Sequence, residues 1–465
     1  MNRSRRTAVF KGVGQTLQLV LVLSRLFALL FLMFAGHPSI VLANTLAHSA
    51  RHYPRHHLLV GYFPQWGLYD PQPYYVKALA TNGSAAKLSQ INFANASVQN
   101  GQCSLSDPNA DLNTIYTSRN SVNGKADKGS SSFRGYFHQL EELKRRYPKL
   151  RILISLEGKA ADFVEDASPK SRKAFVASCV DTFLRGHFAP GITKPGIFDG
   201  FDVDWESPQT EDAANFRALL EEFRRQMNSV RPGLRLSIAV GQAPQMLPGT
   251  DFATLAPLVD QIGIMNYDYA GPWNARTGFL APLFSNPMAS YPAENIERSI
   301  ASYKAAGVPS EKLLMGLPFY GYSWTEVDSA NNGLFQTGNG VHADEPYHFI
   351  HSLSAPFSVY RDQRSRAPWL FDGQTFWSYE DTISVRFKVS YAAHQHLGGV
   401  MIWELSGDSA DGELFQTAYR SLHHPLKAST FARVVAASPP VPRRSIPPPQ
   451  VPAIDDTVLP VPSAN

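Results

Sequence analysis

The chain has 465 residues, 44% hydrophobic and 12% aromatic, enough to bury a large core as one large domain or two to three smaller ones. A net charge of only +4, a charged fraction of 18% and the lack of any basic run beside aromatics outside the first residues exclude a nucleic-acid binder. Two cysteines exclude a disulfide-dense scaffold and a four-thiolate zinc site. Cys103 and Cys179 would need an oxidising compartment to pair. On the helical run AFVASCVDTFL, Cys179 also reads as a small buried hydrophobe, and free thiols are the expectation.

Residues 1–43 read as a targeting segment. Arg3, Arg5, Arg6 and Lys11 precede the apolar run 26–35, and Val41-Leu42-Ala43 offers a small-residue cleavage site. A secreted or periplasmic protein is expected, with no stable membrane insertion once the leader is removed. The Ser4-Arg5-Arg6 start is loosely like a twin-arginine signal, but the spacing to Phe10 and Lys11 is off. Arg25 interrupts the apolar stretch 17–35, which argues against a spanning helix and leaves an uncleaved anchor as the alternative. Residues 44–56 read as a solvated linker. His52, His56 and His57 have no acids or thiols beside them to complete a metal site.

From 57 to about 425, short β-like runs alternate with amphipathic helical stretches. Strands are predicted at 58–63, 90–94, 151–155, 200–205, 234–240, 261–267, 312–318 and 399–403. Helices are predicted at 137–146, 171–185, 212–230, 293–306 and 381–394. Eight strands each followed by a helix predict an α/β fold, a (β/α)8 TIM barrel. After the seventh strand the rhythm changes. Residues 322–376 are rich in Gly, Asn, Ser and aromatics, with strand-like pieces FSVYRD and TFWSY, and they predict a small inserted α+β subdomain on the barrel rim. Residues 430–465 are Pro-rich and too polar to fold, so a disordered tail is expected there.

The fourth strand carries four acids in FDGFDVDWE: Asp199, Asp202, Asp204 and Glu206. Strand alternation sends the last three to one face, about 7 Å apart. A wet edge strand is one reading. Against it stand the mutual repulsion of the acids and the bulky Val203 and Trp205 opposite, which suggest a strand covered by helices. Clustered inward carboxylates suit catalysis or metal binding. In such barrels functional side chains sit where strands end. Those ends carry Tyr62, Phe63 and Trp66 on the first, Ser155 on the third, Glu206 on the fourth, Tyr267 and Asp268 on the sixth, and Trp403 and Glu404 on the eighth. Acids combined with Trp and Tyr suit a sugar, whose C–H faces stack on rings while its hydroxyls bond carboxylates.

With these motifs in place, residues 57 to about 425 resemble a family 18 glycoside hydrolase, the chitinase family. DGFDVDWE matches the DxxDxDxE signature at Asp199, Asp202, Asp204 and Glu206, and MNYD matches M-x-Y-D at Met265, Tyr267 and Asp268. GGVMIWELSGD matches the segment carrying the sugar-platform tryptophan, here Trp403, and KLLMGLPFYGYSW resembles the segment that precedes the family's inserted domain. Two departures stand out: SxGG reads Ser155-Leu156-Glu157-Gly158, and Tyr322 stands where many members have arginine.

The resemblance implies a retaining, substrate-assisted hydrolase of β-1,4-linked N-acetylglucosamine polymers. In that mechanism the sugar's own acetamido carbonyl attacks the anomeric carbon. Glu206 would be general acid and then base, its proton held by Asp204 nearby. Asp204 would steady the acetamido group, Asp202 would share a proton behind it, and Tyr267 would bond the reacting carbonyl. Trp403, Asp268, Met265, Tyr62, Trp66 and Ser155 would bind substrate, while Asp199 would support structure. No metal or organic cofactor is implied, and a monomer acting on a polysaccharide or oligosaccharide is expected. An endo-N-acetylglucosaminidase acting on N-glycans or cell-wall glycan is the alternative enzyme. A chitinase-like lectin is the alternative outside enzymes, and such lectins typically lack the acid that Glu206 supplies.

Overall fold

The computed structural model describes residues 57–206 and 208–435. The leader, the linker with His52 and His56, and the tail beyond 435 lie outside these residues. His57 is inside, with Nδ1 3.0 Å from the Leu397 carbonyl oxygen.

Eight parallel strands close into a barrel. In chain order they are Leu58–Pro64, Gln90–Gln99, Arg151–Glu157, Gly200–Val203, Arg235–Val240, Gln261–Ile264, Leu313–Pro318 and Gly399–Trp403. The first strand pairs with the last (Leu58↔Gly399) and with the second (Val60↔Gln90), so the ring has no open side. Because helices cover the outside and side chains fill the inside, these strands are buried on both faces. LLVGYFP and LLMGLP have every residue buried apart from half-buried Leu58. The helix Ala213–Val230 shows the matching stripe: Phe216, Leu219, Leu220, Phe223 and Met227 recur at three- and four-residue spacing and are all buried. Asp381 starts the helix Thr382–His394 by accepting the N–H groups of Ile383 and Ser384. Among the described residues no helix is long and apolar enough to cross a membrane.

The fourth strand is pinned at its base. Asp199 receives Lys144 Nζ at 2.7 Å, Arg231 Nη2 at 3.1 Å and the Ile152 N–H at 3.0 Å. Burial alone would raise its carboxyl, but the Lys144 ammonium and the other donors hold it below the ordinary carboxylate range. Next to it Gly200 adopts φ 152°, and an added Cβ would meet the Arg235 carbonyl oxygen at 1.8 Å. Gly200→Ala should therefore fail to assemble the barrel, read as loss of soluble protein with native near-ultraviolet circular dichroism. Normal yield and spectrum would contradict this account of the strand.

The fourth and sixth strands stop at Val203 and Ile264, short of the predicted 205 and 267. One more ladder bond follows each end, Asp204 N–H to Leu156 O and Met265 N–H to Val240 O, and then the chain peels away, which leaves Asp204 to Glu206 and Met265 to Asp268 at the barrel mouth. The second strand instead runs past the barrel and turns back as the antiparallel strand Gln102–Leu105, a hairpin the sequence reading did not contain. That hairpin corrects the cysteine expectation. It lays Cys103 against the C-terminus of the helix Arg172–Cys179, and Cys103 and Cys179 form a disulfide with Cα atoms 4.8 Å apart.

A second sheet of five antiparallel strands follows the seventh barrel strand, in the order Asn339–Pro346, Tyr320–Thr325, Phe376–Ser378, Ala367–Phe371, Ser358–Asp362. It has its own apolar cluster, with Trp324, Phe335, Trp369, Phe371 and Phe376 against Phe279 of the loop after the sixth barrel strand. The same loop is stitched to the sheet by Trp324 Nε1 donating to Asn274 O at 3.0 Å and the Thr277 N–H donating to Gln336 O at 2.8 Å.

Candidate active site

Register places the acids in layers. Asp202 is the direct neighbour of Ser155 on the third strand and of Ser237 on the fifth, and all three face the barrel interior. Its carboxylate accepts Ser155 Oγ at 3.1 Å, Ser237 Oγ at 2.5 Å and Tyr62 OH at 2.6 Å. Burial still outweighs these donors and raises Asp202 above the ordinary range, so it keeps a proton to higher pH than a free aspartate.

Asp204 lies one layer nearer the mouth. Its Oδ1 is buried and finds no hydrogen-bond partner among the described residues. Burial first, then the charges of Glu206, Asp202 and Glu157, hold its proton well above the usual range. Glu206 is exposed at the mouth, and yet the surrounding cleft wall raises it too, followed by the negative charge of Glu157. The sequence expectation credited Asp204 with holding the Glu206 proton. In the structure the enclosing wall and Glu157 raise its affinity as well, and Asp204 and Glu206 each oppose ionisation of the other.

The other predicted residues fall into two groups. Trp403, half-buried, floors the mouth, with Tyr62 at a ring-centroid distance of 5.1 Å and exposed Trp66 at 6.0 Å. Tyr267 is buried beside Tyr320, their ring centroids 6.0 Å apart, and its phenol stays protonated because burial and the Asp268 charge both raise it. Asp268 accepts Tyr320 OH at 2.6 Å, and burial pushes its carboxyl up to about 6. Met265 is half-buried at the end of the sixth strand. Ser155 and Tyr62 were expected to touch substrate, but they are 2% and 3% exposed and direct their hydroxyls at Asp202.

Sequence reasoning missed Ser237, Tyr320, Asn95 and Trp273. Ser237 was findable, because a serine inside the apolar run RLSIAV must face one side of a doubly covered strand. Asn95 lies on the second strand just past the predicted end at 94, while Tyr320 and Trp273 reach the mouth through the inserted sheet and a loop, for which periodicity gives no direction. Tyr322, standing where the family pattern has arginine, lies between Tyr320 and exposed Trp273, with ring centroids at 5.6 and 5.4 Å.

Among the described residues, the group spaced for a metal is His138, Glu141 and Glu142 on the helix Gly135–Arg146. Arg145 already pairs with both glutamates of that group.

A family model for the glycosyl hydrolases of family 18 matches residues 58–408. Chitinase C of Streptomyces lividans is 31% identical over 383 residues, 78% of this chain and 59% of that protein. The catalytic domain of a psychrophilic chitinase B from Arthrobacter superposes with TM-score 0.73 at 30% identity, covering 79% of this chain and 95% of the other. A family 18 N-acetylglucosaminidase from Paenibacillus barengoltzii superposes with TM-score 0.63 at 28% identity, covering 79% of this chain and all of the other. The chain spans 59% of the length of the first curated relatives it matches.

Proposed function

The chain belongs to glycosyl hydrolase family 18, and from that premise we propose that it is an exported enzyme that hydrolyses β-1,4-linked N-acetylglucosamine polymers, chitin or its oligosaccharides, with retention. One observation carries this reading: a water-accessible acid with a raised proton affinity, Glu206, stands at the mouth directly above Asp204, whose Oδ1 is left without a partner. A second carboxylate on the opposite face of the sugar, which a nucleophilic glycosidase requires, has no counterpart in a stack rising from a single strand. The acetamido group of the substrate supplies the nucleophile instead.

In the first step Glu206 gives its proton to the glycosidic oxygen as the bond from that oxygen to the anomeric carbon breaks, and the acetamido oxygen bonds to the same carbon. Asp204 receives the acetamido N–H and balances the oxazolinium charge. Tyr267 donates its hydroxyl to the acetamido oxygen. In the second step the Glu206 carboxylate takes a proton from water, and the water oxygen attacks the anomeric carbon and reopens the ring. The acid is thereby reloaded and the β configuration restored. Trp403 supports the apolar face of the reacting sugar, Trp66 extends that floor, and Asp268 and Met265 line the same pocket. The basic and apolar run ahead of residue 43 supports export.

The similarity to an N-acetylglucosaminidase favours one competing reading, cleavage of an N-glycan core or cell-wall glycan by the same chemistry. Incubating the protein with chitin hexamer, cell-wall glycan and an N-glycopeptide, with products and anomers resolved over time, separates the readings. Prompt β-anomeric disaccharide from the hexamer is the expected result. Cleavage of the glycopeptide alone favours the competitor, and binding without cleavage of any of the three favours a lectin.

A further inference from the structure

Glu157 is not one of the signature acids, yet the barrel register brings it to them. Ser155 pairs with Asp202 and Leu156 with Val203, and the Asp204 N–H continues the ladder to Leu156 O at 3.1 Å. Ser155 faces inward to reach Asp202, so two residues on, Glu157 faces the same way and stands level with Asp204. Like charges at directly opposed strand positions repel.

The far side of Glu157 is braced. Its Oε2 accepts Asn95 Nδ2 from the second strand. Asn95 in turn is fixed by Ser106 Oγ, which donates to the Asn95 carbonyl oxygen at 2.6 Å and contacts Gln65 Oε1 at 2.6 Å, and Gln65 donates to Asp111 at 2.7 Å. The carboxylate is thus held at the mouth by a neutral partner, and among the described residues it forms no ion pair.

The charged groups it acts on are Asp204 and Glu206, and behind these the acids and phenols continue: Tyr62 bonds Asp202, and Tyr267 and Asp268 face Asp204 and Glu206 from the sixth strand. Asp344, on the inserted strand in register with Tyr322, acts on Asp268. On its own segment the nearest basic residue is Lys159, which is exposed.

We propose that Glu157 is a positioning residue for the acid: its ionised carboxylate keeps one more proton on the Glu206–Asp204 pair and so extends the pH range over which Glu206 is loaded to donate. This rests on the glycosidase reading for its catalytic meaning, although its electrostatic content is independent of turnover. The sign follows directly. A negative neighbour raises the acid's proton affinity, and the direction found at Glu206, upward from burial and then from Glu157, agrees. Removing the charge should let Glu206 deprotonate at lower pH, which moves the basic limb of the rate profile down.

The test compares the pH dependence of kcat/KM on chitin hexamer for the wild type, Glu157→Gln and Glu157→Asp. In Glu157→Gln the basic limb should fall by about one pH unit, with activity well above neutrality reduced about tenfold and the acid side little changed. Glu157→Asp should recover most of the wild-type limb, which separates charge from damage to the fold. In parallel, side-chain carboxyl titration by carbon-13 NMR, assigned with Glu206→Gln, should show the Glu206 midpoint lowered in Glu157→Gln. Superimposable limbs and an unmoved midpoint would overturn the proposal. A wild type with no hydrolytic activity would overturn the glycosidase reading instead, and the NMR titration would still decide the role of Glu157.

Discussion

Glu206→Gln should reduce kcat on chitin hexamer by about 10³-fold or more while leaving the affinity for the oligosaccharide within about threefold, since a positioned general acid contributes roughly 10²–10⁴ and this one also acts as the base in the second step. Glutamine keeps the shape and hydrogen bonding of the side chain but can neither give up nor accept the proton. Exposure at the mouth makes the change structurally mild, since no buried partner is lost. Burial and Glu157 shape the proton affinity of the native acid, and all of that influence disappears with the carboxyl. Steady-state kinetics give the first number and calorimetric titration of the variant the second. Turnover within tenfold of wild type would remove Glu206 from the mechanism and point to another donor.

The second large effect is on stability. Replacing Cys103 and Cys179 together by serine opens a cross-link between positions 76 residues apart. Loop entropy for that separation gives about 4.5 kcal/mol, and measured values for native bridges run about 2–5 kcal/mol. The expected result is a clear fall in the urea midpoint with a somewhat steeper slope, because the unfolded chain without the cross-link exposes more surface. The bridge ties the hairpin of the second strand to the helix Arg172–Cys179, and Asn95 lies on the same long strand. A loosened hairpin should therefore also weaken the Asn95 support of Glu157 before the barrel as a whole unfolds. Equal midpoints for the two proteins would show that the hairpin and helix hold each other without the bond.

The barrel was legible because its signals are local and repeated. Doubly buried strands such as LLVGYFP and LLMGLP read as continuous apolar runs, and the stripe from Phe216 to Met227 sits at helical spacing. The acids of FDGFDVDWE were legible for a related reason: alternation assigns them one face wherever the strand lies. What alternation does not carry is lateral register. That Asp202 falls between Ser155 and Ser237, or that Glu157 falls beside Asp204, depends on how far one strand slides past the next, a choice made by the closure of the whole ring. The disulfide was hidden by the same gap, because its hairpin exists only where the second strand outruns the barrel. Trp273 was hidden because loops aim side chains without a period, and Tyr320 because it starts a strand of the inserted sheet, whose orientation over the barrel no period carries.

The seam between the first and last strands has a consequence for how the chain is made. His57 meets Leu397 across 340 residues, and Leu58 cannot pair with Gly399 until that strand has been synthesised. At about 5–20 residues per second the first strand waits roughly 17 to 70 seconds after it is made. Through that interval the run LLVGYFP has one edge unpaired, and an apolar edge of this kind is what holdase chaperones recognise. Biogenesis of this protein thus depends on a period of enforced incompleteness, in which its best strand is also its most exposed liability.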